Sequence, residues 1–577
     1  MNIRQTGIGL ALVAAGSLAV LWIPGIPLGV PGEWVWSRIP VVPGELTLLV
    51  LGIVSALVVG ALYLGLVVFG ASRLEQAGRF ELAGWLAALV AAGFAWLWVV
   101  QESPAAPQYA LGKSGWVLYF HAHEGYFEQA RYVMRDVPSY LAGYEKEMSQ
   151  GDYLHLGTHP PGLILFHRAC FNLCSGSSAL ADLLTRTEPT SFRDAMEVTE
   201  RSERAGREPV TTTEIAALWL AVLITQALAA ATVVPLYLLV GRTNSRTTSW
   251  WTAALWPLVP ALAVFLPKSD AMLPFFGVLF LWLWLEGFRT GRLVWCALAG
   301  GVFWLGMFLS LAVLPVALAA ALLTIWESIA CKPEDRTRLR YRDWAARIAA
   351  AAIGWLVPVL LLWLFARINL FAVWRWNYRN HAAFYEHAQQ FPRTYWKWLI
   401  ANAIELSFAV GFPLIVAAVI GFRHVLAAGW RRRAMGPYWC LTATWLVLWI
   451  SGKNMGEAAR LWLLFMPWPV WLAAGYFAAG SQAVGDQPSR PWRAAALLFL
   501  IQIVVAIGTV TRVTGFDFPI APDAHGVTMR ESLPLSRITS ATADAFRESP
   551  HRPPPAGIPI GRRGEAKDEG RRSAAAG

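Results

Sequence analysis

The sequence predicts an all-α polytopic membrane protein, a bundle of about thirteen transmembrane helices, and three observations carry that reading. The 577-residue chain is 56% hydrophobic and only 15% charged, with a mean hydropathy of +0.45. Its apolar residues gather into runs of about twenty, the length that carries a helix across a hydrocarbon core. It also holds 31 Trp, whose apolar ring and polar N–H suit the water–lipid boundary. The net charge of +11 fits Arg and Lys held in cytoplasmic loops, and no nucleic-acid partner is expected. The five cysteines are scattered without a CxxC pair, which argues against a zinc site or a disulfide framework.

In chain order the spans are expected near 8–30, 45–70, 82–100, 213–240, 249–266, 271–288, 293–309, 312–330, 345–368, 401–421, 436–451, 460–480 and 494–512. The first run lacks a small-x-small cleavage site before polar sequence, so it reads as a spanning helix and not as a signal peptide. The stretch 293–330 is too long for one span and too apolar for a loop, and is divided in two on length alone.

Loop charge sets the orientation. With the N-terminus inside, the inside loops hold Arg73 and Arg79, Arg242 and Arg246, Arg289 and Arg292, the run Lys332 to Arg342, Arg423 with Arg431 to Arg433, and Arg490 with Arg493. Every one is basic, as orientation by cytoplasmic positive charge requires. The outside then receives a long segment, 101–212, the turn "LPKSDAML", the segment 369–400, the loop "SGKNMGEAARLW" and the tail after Thr511. Within the first of these, 176–212 reads as a solvated insertion. The Pro-, Gly- and charge-rich end of the tail reads as disordered.

Each outside piece carries residues fit for chemistry. In "HAHEGYFEQARYVMRD", Glu124, Glu128, Arg131 and Arg135 share one face of a helix. They read either as a salt-bridged surface or as bearing a catalytic carboxylate, Glu124, beside His123; desolvation near lipid raises such a carboxylate's basicity. In "GDYLHLGTHPPGLILF", Asp152 and His159 precede Pro160 and Pro161, which bar a helix through themselves and can start one at Gly162. That next helix is interrupted by His167 and Arg168 and is expected to lie along the membrane surface. Lys268 and Asp270 are either boundary residues or site residues. Lys453, Glu457 and Arg460 close the late loop, with Glu457 and Arg460 spaced to pair. Five of the ten histidines fall within 121–167, but their H-x-H and H-x3-H spacings are common by chance, and no metal is expected. Polar groups converging on one side of a helical bundle suggest a shared cavity.

In this order, "HEGYF", "HPPG", "KSDAM" and "GEAARLWLLFMPW" resemble the multi-spanning glycosyltransferases of the GT-C fold. The similarity is to the branch with protein O-mannosyltransferases, the aminoarabinose transferase of lipid A and bacterial Rgt-type sugar transferases, and it covers about residues 80–480. The resemblance implies a GT-C-like bundle over 81–512, with interfacial helices in the large outside loop 101–212. Residues 1–80 would add helices in front of it, and 513–577 would form an extracytoplasmic tail. It implies a multi-pass protein of a bacterial plasma membrane that inverts a sugar while moving it from a polyprenyl-phosphate donor. The acceptor is an extracytoplasmic glycan, lipid or protein, and no cofactor is needed. Glu124 would be the base and Asp270 a second catalytic carboxylate. The family's first acidic motif is commonly Asp-Glu, whereas here it is His123-Glu124, so His123 is the other candidate for a part in proton transfer. His159 and Asp152 would contact substrate, and Lys268, Arg375, Arg379, Lys453 and Arg460, with Glu457, would surround the leaving lipid phosphate. A transporter or flippase for a lipid-linked or anionic solute is the alternative, but it predicts mid-helix charges and repeated halves, neither of which stands out.

Overall fold

A computed structural model describes residues 3–120, 123–149, 156–203, 208–330, 341–386, 393–429, 433–480 and 491–516. These belong to one compact unit, Met1–Asp517; a second unit, Phe518–Gly577, lies outside the described residues, as does the tail expected to be disordered. The described chain is helical almost throughout. Its one small sheet pairs Gly29–Val30 with Trp34–Val35.

Among the described residues, nine helices are long and apolar enough to cross a membrane, or ten if one bent pair is a single span. They match nine of the thirteen expected segments, and the other four are helical but differ. The segment at 249–266 is broken into Arg246–Ala254 and Pro260–Phe265. Pro257 and Pro260 remove backbone donors there, and buried Lys113 donates to the freed carbonyls of Ala263 (2.6 Å) and Val264 (3.3 Å). Helices Leu293–Leu309 and Gly436–Ile450 are shorter than a full span. The segment expected at 401–421 is two helices, Tyr395–Val410 and Phe412–Ala427, bent by 99° at Gly411. Gly411 has φ +95°, and a Cβ there would meet the Gln502 amide at 2.4 Å, so glycine and Pro413 together impose the bend. The division of 293–330 falls at Ser310, where the backbone is extended and the side chain accepts from Ala312 N–H.

Contacts sort the loops into two ends. At one end Arg242 pairs with Glu327 (2.9 Å) and Glu286 (3.5 Å), Arg433 reaches Glu327 (3.2 Å), and Arg246 donates to Ala77 O (2.8 Å). These are loops the charge pattern assigns to the inside. At the other end Glu33 accepts from Thr394 N–H (2.7 Å), Lys397 (2.9 Å) and Trp398 (2.8 Å). There Ile39 N–H donates to Arg512 O (2.9 Å), and the outside pieces around Glu124, Asp270 and Arg460 meet. The described part of the first eighty residues is therefore built into the same unit as the later helices, Met1–Asp517.

Two local expectations change. The insertion 176–212 forms helices Ser178–Thr187 and Thr190–Glu203 on whose inner face Leu184, Phe192 and Met196 are buried, with Phe192 against Trp219 (5.0 Å). Apolar residues at helical spacing within a polar stretch make it packed and not merely solvated. Trp residues do not serve the boundary alone: Trp96, Trp219, Trp250, Trp256, Trp398 and Trp462 are fully buried. Several bond to carbonyls at helix breaks, as Trp96 does to Pro257 O (2.9 Å) and Trp256 to Ala229 O (2.7 Å).

Candidate functional site

Helix Lys113–Tyr119 ends at Phe120, whose carbonyl accepts from the N–H of His123 (3.0 Å) and of Glu124 (3.2 Å). This turn carries Glu124 inward to 1% exposure. Its Oε1 accepts from Ser269 N–H at 3.1 Å. Ser269 opens the turn before helix Leu273–Thr290, so the carboxylate sits at the positive end of an 18-residue helix. Lys268, also buried, donates its ammonium to the His123 carbonyl. The first outside loop is thus docked on the "KSDAM" turn from both sides.

Burial pushes the Glu124 carboxyl above the usual carboxylate range, against the opposing pull of Lys268 and the Ser269 hydrogen bonds. Burial, with Arg460 nearby, lowers Lys268 to about 8; Glu124, Asp270 and Glu457 oppose that shift. His123 is lowered to about 4 by burial and by the charges of Lys268 and Arg460. Its Nε2 accepts from Trp116 Nε1 at 2.8 Å, so the neutral ring carries its proton on Nδ1. His123 is therefore an uncharged acceptor at neutral pH, and Glu124 is the more basic of the pair.

The late loop completes the cluster. Arg460 Nε lies 3.9 Å from Asp270, and its other end pairs with Glu457 at 2.6 Å. Burial acts to lower Arg460, but Glu457 and Asp270 outweigh it and raise it. Glu457 itself holds a positive φ of 54°, a strained conformation for a residue with a Cβ. Three carboxylates and two cations, from three stretches far apart in sequence, stand together. Asp270 and Glu457 retain 20% and 34% side-chain exposure, so they form the accessible rim while Glu124 and Lys268 are buried.

His159 stands one layer away, its ring 5.7 Å from that of Tyr126, and Tyr126 is close enough to feel the charges of Glu124, Asp270 and Arg460. The helix expected after Pro161 is present as Gly162–Gly176, and His167 on its inner face reaches to 4.0 Å from Glu124 Oε2. Arg379 instead lies over Trp376 (4.8 Å) and Lys453 over Tyr378 (4.9 Å); with Arg375 they are exposed and join the cluster through no hydrogen bond or ion pair among the described residues. Asp152 lies outside the described residues, as do His121 and His155.

Sequence reasoning passed over His167, Tyr126 and Glu405. His167 was visible only as an interruption of an apolar run, and Glu405 only as a carboxylate inside an expected span. Glu405 accepts from Trp36 Nε1 (3.0 Å) and from Ala459 N–H (2.8 Å), tying the N-terminal hairpin to the turn that carries Arg460. Glu405 and Ala459 also line an apolar groove of about 880 Å³, whose walls include Val20, Val264, Phe265, Ile404 and Phe408. The groove does not reach Glu124. Its lining residues Phe265 and Ala459 stand three residues and one residue from Lys268 and Arg460 in the chain. No protein-family model matches this chain, and no curated protein matches it either.

Proposed function

We propose that this protein is an integral membrane glycosyltransferase that moves a sugar from a polyprenyl-phosphate-linked donor to an acceptor outside the cytoplasm. The observation that carries the reading is an apolar groove of about 880 Å³ running up to the turn that presents Arg460, next to Lys268 and Asp270. A lipid-phosphate sugar has the matching chemistry: an apolar chain for the groove and an anionic head for the two cations. The motif resemblance to GT-C enzymes points the same way. The acceptor hydroxyl attacks the anomeric carbon, and the bond from that carbon to the phosphate oxygen breaks in line, inverting the centre. The hydroxyl proton passes to Glu124, and the lipid phosphate leaves with its charge met by Arg460 and Lys268. Asp270 holds Arg460 at the rim and contacts the sugar. Because Glu124 is enclosed, substrate binding displaces Lys268 from the His123 carbonyl to expose it. The active face, with the N-terminal hairpin, is extracytoplasmic.

The test is incubation of purified protein with radiolabelled polyprenyl-phosphate sugars and membrane extract. Transfer of label to an acceptor is expected, and Glu124→Gln should lower it by roughly a hundredfold or more, the usual worth of a general base. Transfer at near-normal rate in that variant would remove Glu124 as the base. Movement of intact labelled lipid across vesicles, with no transfer, would instead make the protein a transporter.

A further inference from the structure

Helix Gly162–Gly176 buries Leu163, Ile164, His167, Cys170, Phe171 and Cys174 along its inner face. His167 is 3% exposed, and its Nε2 points at Glu124 Oε2 from 4.0 Å. Among the described residues that oxygen has no hydrogen-bond partner, and neither does His167 Nδ1. An ionised carboxylate with one oxygen unpaired in a buried place is costly, and a donor aimed at it removes the cost. The carboxylate also selects the tautomer: a bare Nε2 lone pair would face the lone pairs of Oε2, whereas an Nε2–H faces them favourably.

We propose that His167 is a positioning residue whose Nε2–H donates to Glu124 Oε2, holding that carboxylate ionised and turned toward the acceptor hydroxyl. The proposal rests on the transfer reading only in taking Glu124 as the base. Closing the gap needs a movement of about 1 Å, to reach an ordinary hydrogen-bond length. Charges near the pair come from three neighbouring segments. Lys268 and Asp270 come from the turn before Leu273–Thr290, Tyr126 from the segment after Glu124, and Arg460 from the late loop. Helix Thr212–Ala231, packed along Gly162–Gly176, carries only Glu214, which Arg131 holds at 2.8 Å. The rings of Phe127 (6.1 Å) and Phe166 (5.3 Å) flank His167 and exclude water. Burial keeps its imidazole neutral, lowered to about 3, so it acts as a fixed donor and not as a proton store.

A hydrophobic carbodiimide reacts with protonated carboxyls, and peptide mass spectrometry of the full-length protein across a pH series reads the half-labelling pH of Glu124 without any substrate. His167→Phe and His167→Asn, which remove the donor or its reach, should raise that pH by about one unit, the worth of a hydrogen bond to a charged group. His167→Gln, which keeps a side-chain N–H at similar reach, should stay near wild type. An unchanged midpoint in whichever of the Phe and Asn variants folds would overturn the proposal. So would a Gln variant that shifts as far as they do. In the transfer assay the Phe and Asn variants should lose kcat with little change in KM. Labelling needs no transfer, so failure of the transfer reading would be seen apart from failure of this one.

Discussion

Glu124 and His167 show how much burial alone does to ionisable groups here. Burial works against the charged form of each, raising the carboxyl and lowering the imidazole to about 3. For the rate, a raised base must still lose its proton, so transfer should fall away on the acid side at a pH above the ordinary carboxylate range. A rate profile with its acid limb at or below pH 4 would disprove that placement of the base. For stability the sign is different in origin. His123 and His167 bind protons in the unfolded chain below about 6.5 but in the fold only near 4 and 3. For these two groups the unfolded state holds more protons between these values, so their contribution to stability rises with pH and is lost on acidification from 6.5 toward 4. Glu124 and Glu188, raised in the fold, act the opposite way in that window, so the histidine contribution is read as a difference: in detergent melts His167→Phe should lose less stability than wild type on acidification. Asp270→Asn should weaken transfer less than Glu124→Gln, because it loosens Arg460 without removing the base; an unchanged rate would make Asp270 a boundary residue.

At the scale of elements, the breaks matter more than the helices. Helix Pro260–Phe265 stops short, and the turn that follows carries Lys268 and Asp270 to the same end of the bundle as Arg460. The 99° bend at Gly411 lets helix Tyr395–Val410 lie against the N-terminal hairpin while helix Phe412–Ala427 continues on another line. That placement brings Glu405 under Ala459 and so fixes the start of the Arg460 turn. Gly411→Ala should cost on the order of 1–3 kcal/mol, through its positive φ and its collision with Gln502, and thermal denaturation would read it. A melt equal to wild type would mean that the bend relaxes freely. Close helix approach has the same local logic elsewhere: a Cβ on Gly300 would meet Ala351 O at 1.9 Å, so Leu293–Leu309 and Tyr341–Ala366 pack backbone to backbone.

For the whole molecule, the two sets of loop contacts, one around Glu327 and one around Glu33 and Arg460, stand at opposite ends of the long helices. From the basic loops at the Glu327 end we propose that end as the cytoplasmic one. Cysteine placed at exposed Pro31 should react with a membrane-impermeant thiol reagent on intact cells, and cysteine at exposed Arg292 should react only after lysis. The reverse pattern would invert the orientation and put the acid–base cluster inside.

Membrane class, the positions of most helices and the basic residues of each loop assigned to the inside were legible in the sequence. Each depends on a property summed along a short run: apolar transfer free energy over about twenty residues, or charge in one loop. The site was partly legible. Glu124, Lys268, Asp270, Glu457 and Arg460 stood out as polar groups on one side, and the structure brings them together. The sequence could not show that Glu124 meets Ser269, 145 residues away, or that Arg379 and Lys453 turn onto aromatic rings while Arg375 stays exposed. Nor could it show that His167, buried on an apolar helix face, points at the one unpaired carboxylate oxygen of Glu124. Such pairings are set by how helices pack and where they break. That outcome depends on contacts between distant residues, which no local period or loop charge encodes.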